Sequence, residues 1–181
     1  MELFRGILGG KVVKAQIIYL TGFMGSGKTT IGEGLGKALG VTVVDTDKWI
    51  EEKEGKAIRE LFSEKGEGFF RDLETEALQS ISQTPQIITT GGGIILREDN
   101  VSIMKEKGIV INLKCEVEEI FQRLAGDQSR PLLQNKNKKE IETMYLERKK
   151  HYEQSADIIF DTSGKSIRKI IQELKEYLLK N

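Results

Sequence analysis

The sequence predicts an α/β protein with a three-layer α/β/α fold built on a five-stranded parallel sheet. Short apolar runs alternate with amphipathic helical patterns along most of the 181 residues. That alternation is typical of parallel sheets covered by helices on both faces. The length suits one domain, which we place at residues 15–181, after an N-terminal extension of unknown role at residues 1–14. The candidate strands are residues 16–21, 42–45, 86–90, 108–113 and 157–161.

Each candidate strand is a short apolar run. The first leads into a glycine-rich loop, the second is β-branched until it meets Asp45, and the third leads into three consecutive glycines. Helical stripes lie between the strands, and the clearest is C-terminal: Ile167, Ile170, Ile171, Leu174 and Leu178. In open parallel sheets, ligands bind beyond the carboxyl ends of the strands. The functional-looking residues are therefore expected at that edge.

Composition argues against several classes of protein. The 28 basic and 28 acidic residues balance, which disfavours nucleic-acid or membrane binding driven by charge alone. One cysteine, Cys115, and one histidine disfavour a disulfide or a structural zinc site. No apolar run approaches the ~20 residues of a membrane span, and the N-terminus lacks a signal-peptide core. We expect a soluble cytoplasmic protein that is a monomer, with no nucleic-acid or membrane partner.

The most informative stretch is Gly22-Phe23-Met24-Gly25-Ser26-Gly27-Lys28-Thr29, which fits the phosphate-binding loop pattern. It lies between an apolar strand and a helical pattern, the context that the motif requires. Backbone N–H groups and the helix N-terminus would then hold a polyphosphate. Lys28 would reach the β- and γ-phosphates, and the Thr29 hydroxyl would ligate Mg²⁺. The alternative is a glycine-rich turn that opens an ordinary helix.

Two segments interrupt the alternation of strands and helices. Residues 48–82 are too long for one helix and contain three glycines, so we expect several short helices that form a cap beside the mouth. Residues 125–139 are polar, lysine-rich and carry Pro131, a composition typical of a mobile loop. A loop of this length beside a phosphate site is a candidate lid.

Two carboxylates follow the second strand, and both can face the mouth because alternate residues share one side of a strand. Asp45 could hold Mg²⁺ through water. Asp47 could accept the proton of an attacking hydroxyl, or orient it. The alternative for Asp47 is the N-cap of the helix that begins at Lys48. The two roles can coexist, and the spacing leaves the choice open.

Three consecutive glycines, Gly91, Gly92 and Gly93, follow the third strand. Such a run loses much backbone entropy on folding. It is tolerable where a ligand must approach the main chain closely. The alternative is a tight turn, which one or two glycines would satisfy, so ligand contact is favoured.

Four arginines are candidate ligands for anions. Arg71 either forms a surface ion pair within its helix or is oriented by Glu74 toward an anionic substrate. Arg148 lies in the run Glu147-Arg148-Lys149-Lys150, where a solvated helix face is the expected position. Arg130, in the candidate lid, either is a solvated charge or acts as an arginine finger, and Arg123 could stack on a nucleotide base.

Together these motifs resemble the shikimate kinase family, a small branch of the P-loop kinases related to nucleoside-monophosphate kinases. The resemblance spans about residue 16 to the C-terminus, so it says nothing about residues 1–14. It rests on these motifs in the family's order: residues 22–29, Asp45-Thr46-Asp47, Phe70-Arg71-Asp72-Leu73-Glu74, Gly91-Gly92-Gly93, Arg123, Arg130-Pro131-Leu132-Leu133 and Arg148. The phosphate loop alone is widespread, whereas the combination is far more specific.

The resemblance implies that the γ-phosphoryl group of ATP passes to the 3-hydroxyl of shikimate, giving shikimate 3-phosphate and ADP. This is a step in making chorismate and the aromatic amino acids. Mg²⁺ would be the cofactor, held by Thr29 and Asp45. The catalytic residues would be Lys28, Asp47 and Arg130.

The same resemblance implies two binding sites. The ATP site would contain Gly25, Ser26, Gly27, Lys28, Thr29, Thr30, Arg123 and Arg130. The shikimate site would contain Asp47, Arg71, Gly91, Gly92, Gly93 and Arg148. Glu74 would support Arg71, while Phe62 and Phe70 would wall the pocket. Residues 161–166, with Arg123, would flank adenine.

Two other functions fit these motifs less well. A gluconate-kinase-like enzyme or a nucleotide kinase would share the scaffold, but the glycine triplet and the two acceptor-site arginines disfavour it. A non-catalytic switch module of the GTPase type would need an Asn-Lys-x-Asp motif, and residues 135–138 lack the aspartate.

Overall fold

The computed structural model describes residues 5–8, 11–14, 17–81, 86–124 and 138–180. Within these residues lie seven strands, in two sheets. The strands are β1 Arg5–Leu8, β2 Lys11–Lys14, β3 Ile17–Thr21, β4 Thr42–Asp45, β5 Gln86–Thr89, β6 Ile109–Lys114 and β7 Ile158–Asp161. The helices are α1 Lys28–Leu39, α2 Thr46–Glu54, α3 Ile58–Ser80, α4 Glu98–Lys107, α5 Val117–Leu124, α6 Lys138–Ser155 and α7 Ile167–Lys180, with a 3₁₀ turn at Ile94–Leu96.

The main sheet has five parallel strands in the order β4-β5-β3-β6-β7. Its strands match the predicted ones to within one residue at each end, so the predicted sheet is confirmed. The central strands β3 and β5 are buried along their whole length, whereas the edge strands β4 and β7 are partly exposed. Continuous apolar runs therefore occupy the centre of the sheet, as a sheet covered on both faces requires.

Two hydrophobic clusters lie on opposite faces of this sheet. Successive residues of β3 alternate between them: Ile17 and Tyr19 belong to one, and Ile18 and Leu20 to the other. The first cluster is completed by residues of α2, α3, α4 and α6. The second is completed by residues of α1 and α7. The predicted three-layer arrangement is thus confirmed.

The N-terminal segment, for which the sequence predicts no structure, contains an antiparallel strand pair in which Leu8 lies opposite Lys11. Its first strand lies against α7. The predicted series of short helices is observed: α2 is followed by its C-cap Gly55, with φ 64°, and α3 consists of two helical segments that meet at a break at Gly66, with φ 79°.

The candidate lid falls almost entirely outside the described residues, and its last two residues belong to the start of α6. Across the part of the chain that the structure describes, no helix is both long and apolar enough to cross a membrane.

Candidate active site

The phosphate-binding loop connects β3 to α1. The N-cap of α1 is Gly27, whose φ of 90° lies in the left-handed region that favours glycine. No side chain of the described residues caps this helix, so its first N–H groups are available to an anion. Thr29 and Thr30 are exposed in that first turn.

Lys28 is buried and lies along its own loop. Its ammonium donates to the carbonyl oxygens of Gly22, at 2.7 Å, and Phe23, at 3.0 Å. Burial of a lysine is costly unless its charge is compensated. The two carbonyls provide that compensation and hold the charge within the phosphate-binding loop.

The Asp45 carboxylate connects the phosphate-binding loop to β5 and α2. Its Oδ2 accepts from the hydroxyls of Thr29, at 3.2 Å, and Thr89, at 2.7 Å. Its Oδ1 accepts from the backbone N–H of Asp47 and Lys48. Asp45 is therefore the N-cap of α2. The alternative that gave Asp47 this cap is wrong, because the helix begins two residues earlier than the sequence suggested.

Asp47 instead faces the glycine triplet. A Cβ added to Gly91 would lie 2.7 Å from Asp47 Oδ1 and 2.8 Å from Glu74 Oε1. Two carboxylates from different helices thus converge on one glycine, which the Thr46 hydroxyl also binds by accepting the Gly91 N–H. Any side chain at this position would displace one of the two carboxylates. Gly91 is therefore required because the carboxylates approach the main chain closely, and not because of a turn.

Arg71 lies over the last glycine of the triplet. A Cβ on Gly93 would be within 2.4 Å of three guanidinium atoms. Arg71 donates from Nη1 to Glu74 Oε2 at 2.7 Å and from Nη2 to Glu67 Oε1 at 2.6 Å. The side chains of Arg71 and Glu74 are only 8% and 0% exposed. The Arg71–Glu74 pair is therefore buried rather than on the surface, whereas Glu67, the second ion-pair partner of Arg71, has a side chain that is 50% exposed.

Burial dominates the electrostatics of this pair. It raises the pKa of Glu74 to about 7, an effect that Arg71 opposes and the nearby Asp47 charge adds to. Burial also lowers the pKa of Arg71, but the carboxylates of Glu74 and Glu67 raise it above its ordinary value. Beside the pair, the rings of Phe62 and Phe70 lie 4.8 Å apart.

The C-terminal part of α6 closes the other side of the triplet. Tyr152 donates its hydroxyl hydrogen to the Gly92 carbonyl oxygen. Arg148 lies one turn earlier, beside that hydroxyl, and its Nη1 is buried. Arg148 is therefore not simply part of a solvated face, since one end of its guanidinium is removed from water.

Arg123 lies near the end of α5. It donates from Nη1 to the Gly25 carbonyl oxygen at 3.3 Å and from Nη2 to Glu119 Oε2 at 2.9 Å. The other oxygen of Glu119 accepts the N–H of Gly164 at 2.7 Å. Glu119 thus connects the arginine to the loop between β7 and α7. Arg130, the remaining predicted site residue, lies outside the described residues.

Three buried side-chain atoms in this region have no hydrogen-bond partner among the described residues: Ser26 Oγ, Glu74 Oε1 and Arg148 Nη1. Buried polar atoms are nearly always hydrogen-bonded. Their concentration at the phosphate loop and around the glycine triplet indicates a site whose remaining partners come from a ligand.

Known proteins of similar sequence and structure identify the family. The shikimate kinase family model matches residues 24–179. The chain belongs to the shikimate kinase family. Relatives named shikimate kinase include one from Bacillus anthracis, 50% identical over 88% of this chain and 96% of its own, and one from Persephonella marina, 47% identical over 87% and 95%.

Solved shikimate kinase structures have the same fold. The enzyme from Acinetobacter baumannii, in complex with shikimate, superposes with a TM-score of 0.86 at 36% identity, covering 91% of this chain and 93% of that one. The Aquifex aeolicus enzyme gives 0.78 at 34% identity, covering 91% and 97%. The predicted family, fold class and ATP-dependent kinase activity are confirmed. The N-terminal strand pair precedes the segment that the shikimate kinase family model matches.

Three residues of the site were not predicted from the sequence. Tyr152 and Glu119 each lie four residues from a predicted arginine, Arg148 and Arg123 respectively, and that helical spacing is a signal that could have found them. Thr89 binds Asp45 from the neighbouring strand, a contact that depends on strand order and leaves no local signal.

Proposed function

We propose that the protein transfers the γ-phosphoryl group of ATP to the 3-hydroxyl of shikimate, releasing ADP and shikimate 3-phosphate. The observation that carries this proposal is the set of buried, unpartnered polar atoms around the glycine triplet, in a chain that belongs to the shikimate kinase family. A small polar acid would provide partners for both a guanidinium donor and a carboxylate acceptor there.

Shikimate is expected to lie against the triplet with its carboxylate toward Arg71 and Arg148. Arg71 is suited to this role because Glu74 and Glu67 fix its planar fork before any ligand arrives. Gly91, Gly92 and Gly93 let the ring approach the main chain. Each of these contacts to shikimate is part of the proposal.

Asp47 is the proposed proton acceptor for the reacting hydroxyl. As the hydroxyl oxygen bonds to the γ-phosphorus, the bond from that phosphorus to the bridging oxygen of ADP breaks, and the hydroxyl proton passes to Asp47. Position favours this role, because the carboxylate faces Gly91 while the backbone of the same residue is fixed by Asp45.

The phosphates of ATP are expected to lie on residues 25–30, held by the backbone N–H groups of the loop and by Lys28. Arg123 and the loop at residues 161–166 would flank the base. Arg130 is proposed to neutralise charge on the transferred group from the candidate lid at residues 125–139. Phosphoryl transfer depends mainly on such positioning and charge neutralisation.

Mg²⁺ fits the donor set at the start of α1. The Thr29 hydroxyl and the Asp45 carboxylate oxygen are 3.2 Å apart, and hard oxygen donors suit this ion. Among the described residues no three acidic, histidine or cysteine side chains gather into a metal site, which suits an ion completed by water and phosphate. When bound, Mg²⁺ would neutralise phosphate charge. We further propose a cytoplasmic monomer that binds no nucleic acid.

The test is a coupled assay of ADP release with Mg·ATP, run with shikimate and, as controls, with gluconate and nucleoside monophosphates. We expect release with shikimate alone, and a phosphorus NMR spectrum that places the product phosphate on the 3-hydroxyl. Release with a control acceptor instead would keep the fold and the mechanism but refute the assigned substrate. Binding of ATP without release for any acceptor would refute catalysis.

A further inference from the structure

We propose that Tyr152 is a positioning residue for the acceptor, because its hydroxyl binds the Gly92 carbonyl from the helix face that also carries Arg148. This inference rests on the proposed function. It concerns a residue outside every motif that the sequence analysis used, and it predicts an effect on shikimate binding that leaves ATP binding untouched.

Tyr152 lies against the middle of the glycine triplet, which is the first observation that supports a positioning role. Its side chain is 3% exposed, and its hydroxyl donates to the carbonyl of Gly92, the middle glycine. On one side of Gly92, the carboxylates of Asp47 and Glu74 face Gly91. On the other, the Arg71 guanidinium lies over Gly93. Tyr152 therefore holds the point between the two groups that are proposed to bind opposite ends of shikimate.

The second support is the rigidity of the peptide unit. The Gly92 carbonyl and the Gly93 N–H belong to one planar peptide, so a hydrogen bond to the oxygen also sets the direction of the N–H. Because glycines lie on both sides of this peptide, its plane has little intrinsic preference for one orientation. A bond from a fully packed side chain supplies the missing constraint.

The third support is the pairing with Arg148. Residues four apart share one face of a helix, and Arg148 lies beside the Tyr152 hydroxyl. Nη1 of Arg148 is buried without a hydrogen-bond partner among the described residues, and the tyrosine on the same helix face is itself bound to the Gly92 carbonyl. An arginine that is oriented in advance loses less conformational entropy when it binds a carboxylate.

Helix α6 offers a matched control in Tyr145. Its hydroxyl also donates to a backbone carbonyl, that of Cys115 at 3.3 Å, and its ring packs edge-on against Phe23. The two tyrosines thus make the same kind of bond from the same helix, but only one bond reaches the triplet. A merely structural hydroxyl would behave alike at both positions.

The experiment compares Tyr152→Phe with Tyr145→Phe in the full chain. We expect Tyr152→Phe to raise KM for shikimate about five- to tenfold, through the loss of the hydrogen bond to Gly92, with kcat and KM for ATP within twofold. Tyr145→Phe should leave all three within twofold. The thermal midpoints of the two variants, measured alongside, should fall by similar amounts.

The inference is overturned if the two variants raise KM for shikimate equally, or if Tyr152→Phe changes KM for ATP as much as KM for shikimate. Should Tyr152→Phe not fold, fluorine NMR of the wild-type chain labelled with 3-fluorotyrosine replaces it. The resonance of Tyr152 should then move on shikimate binding and that of Tyr145 should not. If the wild type shows no shikimate-dependent ADP release, the proposed function fails first, and this inference with it.

Discussion

Each side of the site contains an arginine that forms an ion pair with a glutamate of its own helix, but the two pairs differ in burial. On the proposed acceptor side, around the glycine triplet, Arg71 is held by Glu74 of its own helix at 2.7 Å, with side chains 8% and 0% exposed. On the proposed nucleotide side, beside the phosphate-binding loop, Arg123 is held by Glu119 of its own helix at 2.9 Å, with side chains 31% and 30% exposed. The nitrogen–oxygen distances of the two pairs are nearly equal, but the Arg71–Glu74 pair is buried and the Arg123–Glu119 pair is partly exposed.

This difference predicts different physical roles for the two pairs. A buried charge that loses its partner is expensive, so Arg71 and Glu74 depend on each other. An exposed pair contributes little free energy and can exchange its partners for water. The proposed acceptor side is therefore fixed in the absence of a ligand, whereas the proposed nucleotide side keeps an adaptable arginine that Glu119 connects to residues 161–166.

The largest effect should come from the two aspartates at the boundary between the sides. Asp47→Asn removes the proposed proton acceptor, and we expect kcat to fall by about 10²–10⁴-fold at saturating Mg·ATP. Asp45→Asn preserves an N-cap, since asparagine caps as well as aspartate. It should instead raise the Mg²⁺ concentration needed for half-maximal rate. Initial rates over a Mg²⁺ titration separate the two outcomes.

The contrary result would be that Asp47→Asn and Asp45→Asn have the same effect on turnover and on the Mg²⁺ requirement. If excess Mg²⁺ restores Asp47→Asn to wild-type turnover, that residue belongs to the metal site, and its placement on the acceptor side is wrong. Circular dichroism should show unchanged helix content in both variants, because the first turn of α2 keeps its cap.

The two glutamates test the comparison directly. Glu74→Ala leaves a buried guanidinium with Glu67 as its remaining ion-pair partner, so we expect a loss of about 3 kcal/mol in the free energy of unfolding. Glu119→Ala should cost below about 1 kcal/mol, yet raise KM for ATP a few-fold because Arg123 and Gly164 lose their shared partner. Urea unfolding at pH 7 and steady-state kinetics measure both. Equal stability losses would contradict the contrast in burial.

The sequence predicted the sheet well because β3, β5 and β6 are apolar runs whose burial needs no knowledge of their neighbours. It also placed the glycine triplet and the two aspartates at the correct edge, since strand ends follow from the alternation. The burial of Glu74 could not be predicted, because Glu67 and Glu74 look alike in the sequence and only the packing of α3 distinguishes them. Likewise, the N-terminal strand pair carries no apolar period long enough to recognise.

Substitutions of Arg71 and Arg123 should affect the KM values of different substrates, shikimate and ATP respectively. Arg71→Lys keeps the charge but loses the fork that Glu74 and Glu67 orient, so we expect KM for shikimate to rise about tenfold. Arg123→Lys loses a planar group beside the base, and KM for ATP should rise about threefold. Each variant should leave the other KM within twofold. Crossed effects in the steady-state kinetics would mean that the two sides are coupled more tightly than their separate contacts indicate.

The buried pair should also make stability depend on pH. Because the folded protein raises the pKa of Glu74 from 4.5 to about 7, it retains a proton that the unfolded chain has already lost between these values. Stability contributed by this group is therefore greatest at low pH and falls as pH rises toward about 7.

Glu74→Gln provides the reference, since glutamine keeps the shape and does not titrate. The free energy of unfolding of the wild type minus that of this variant should decrease by about 2 kcal/mol between pH 5 and pH 8. Urea unfolding at four pH values measures the difference. If the free energies of unfolding of the wild type and Glu74→Gln change in parallel with pH, the Arg71 charge fully offsets the effect of burial on the pKa of Glu74. The Arg71–Glu74 pair would then resemble the partly exposed Arg123–Glu119 pair in its electrostatics, despite its position in the core.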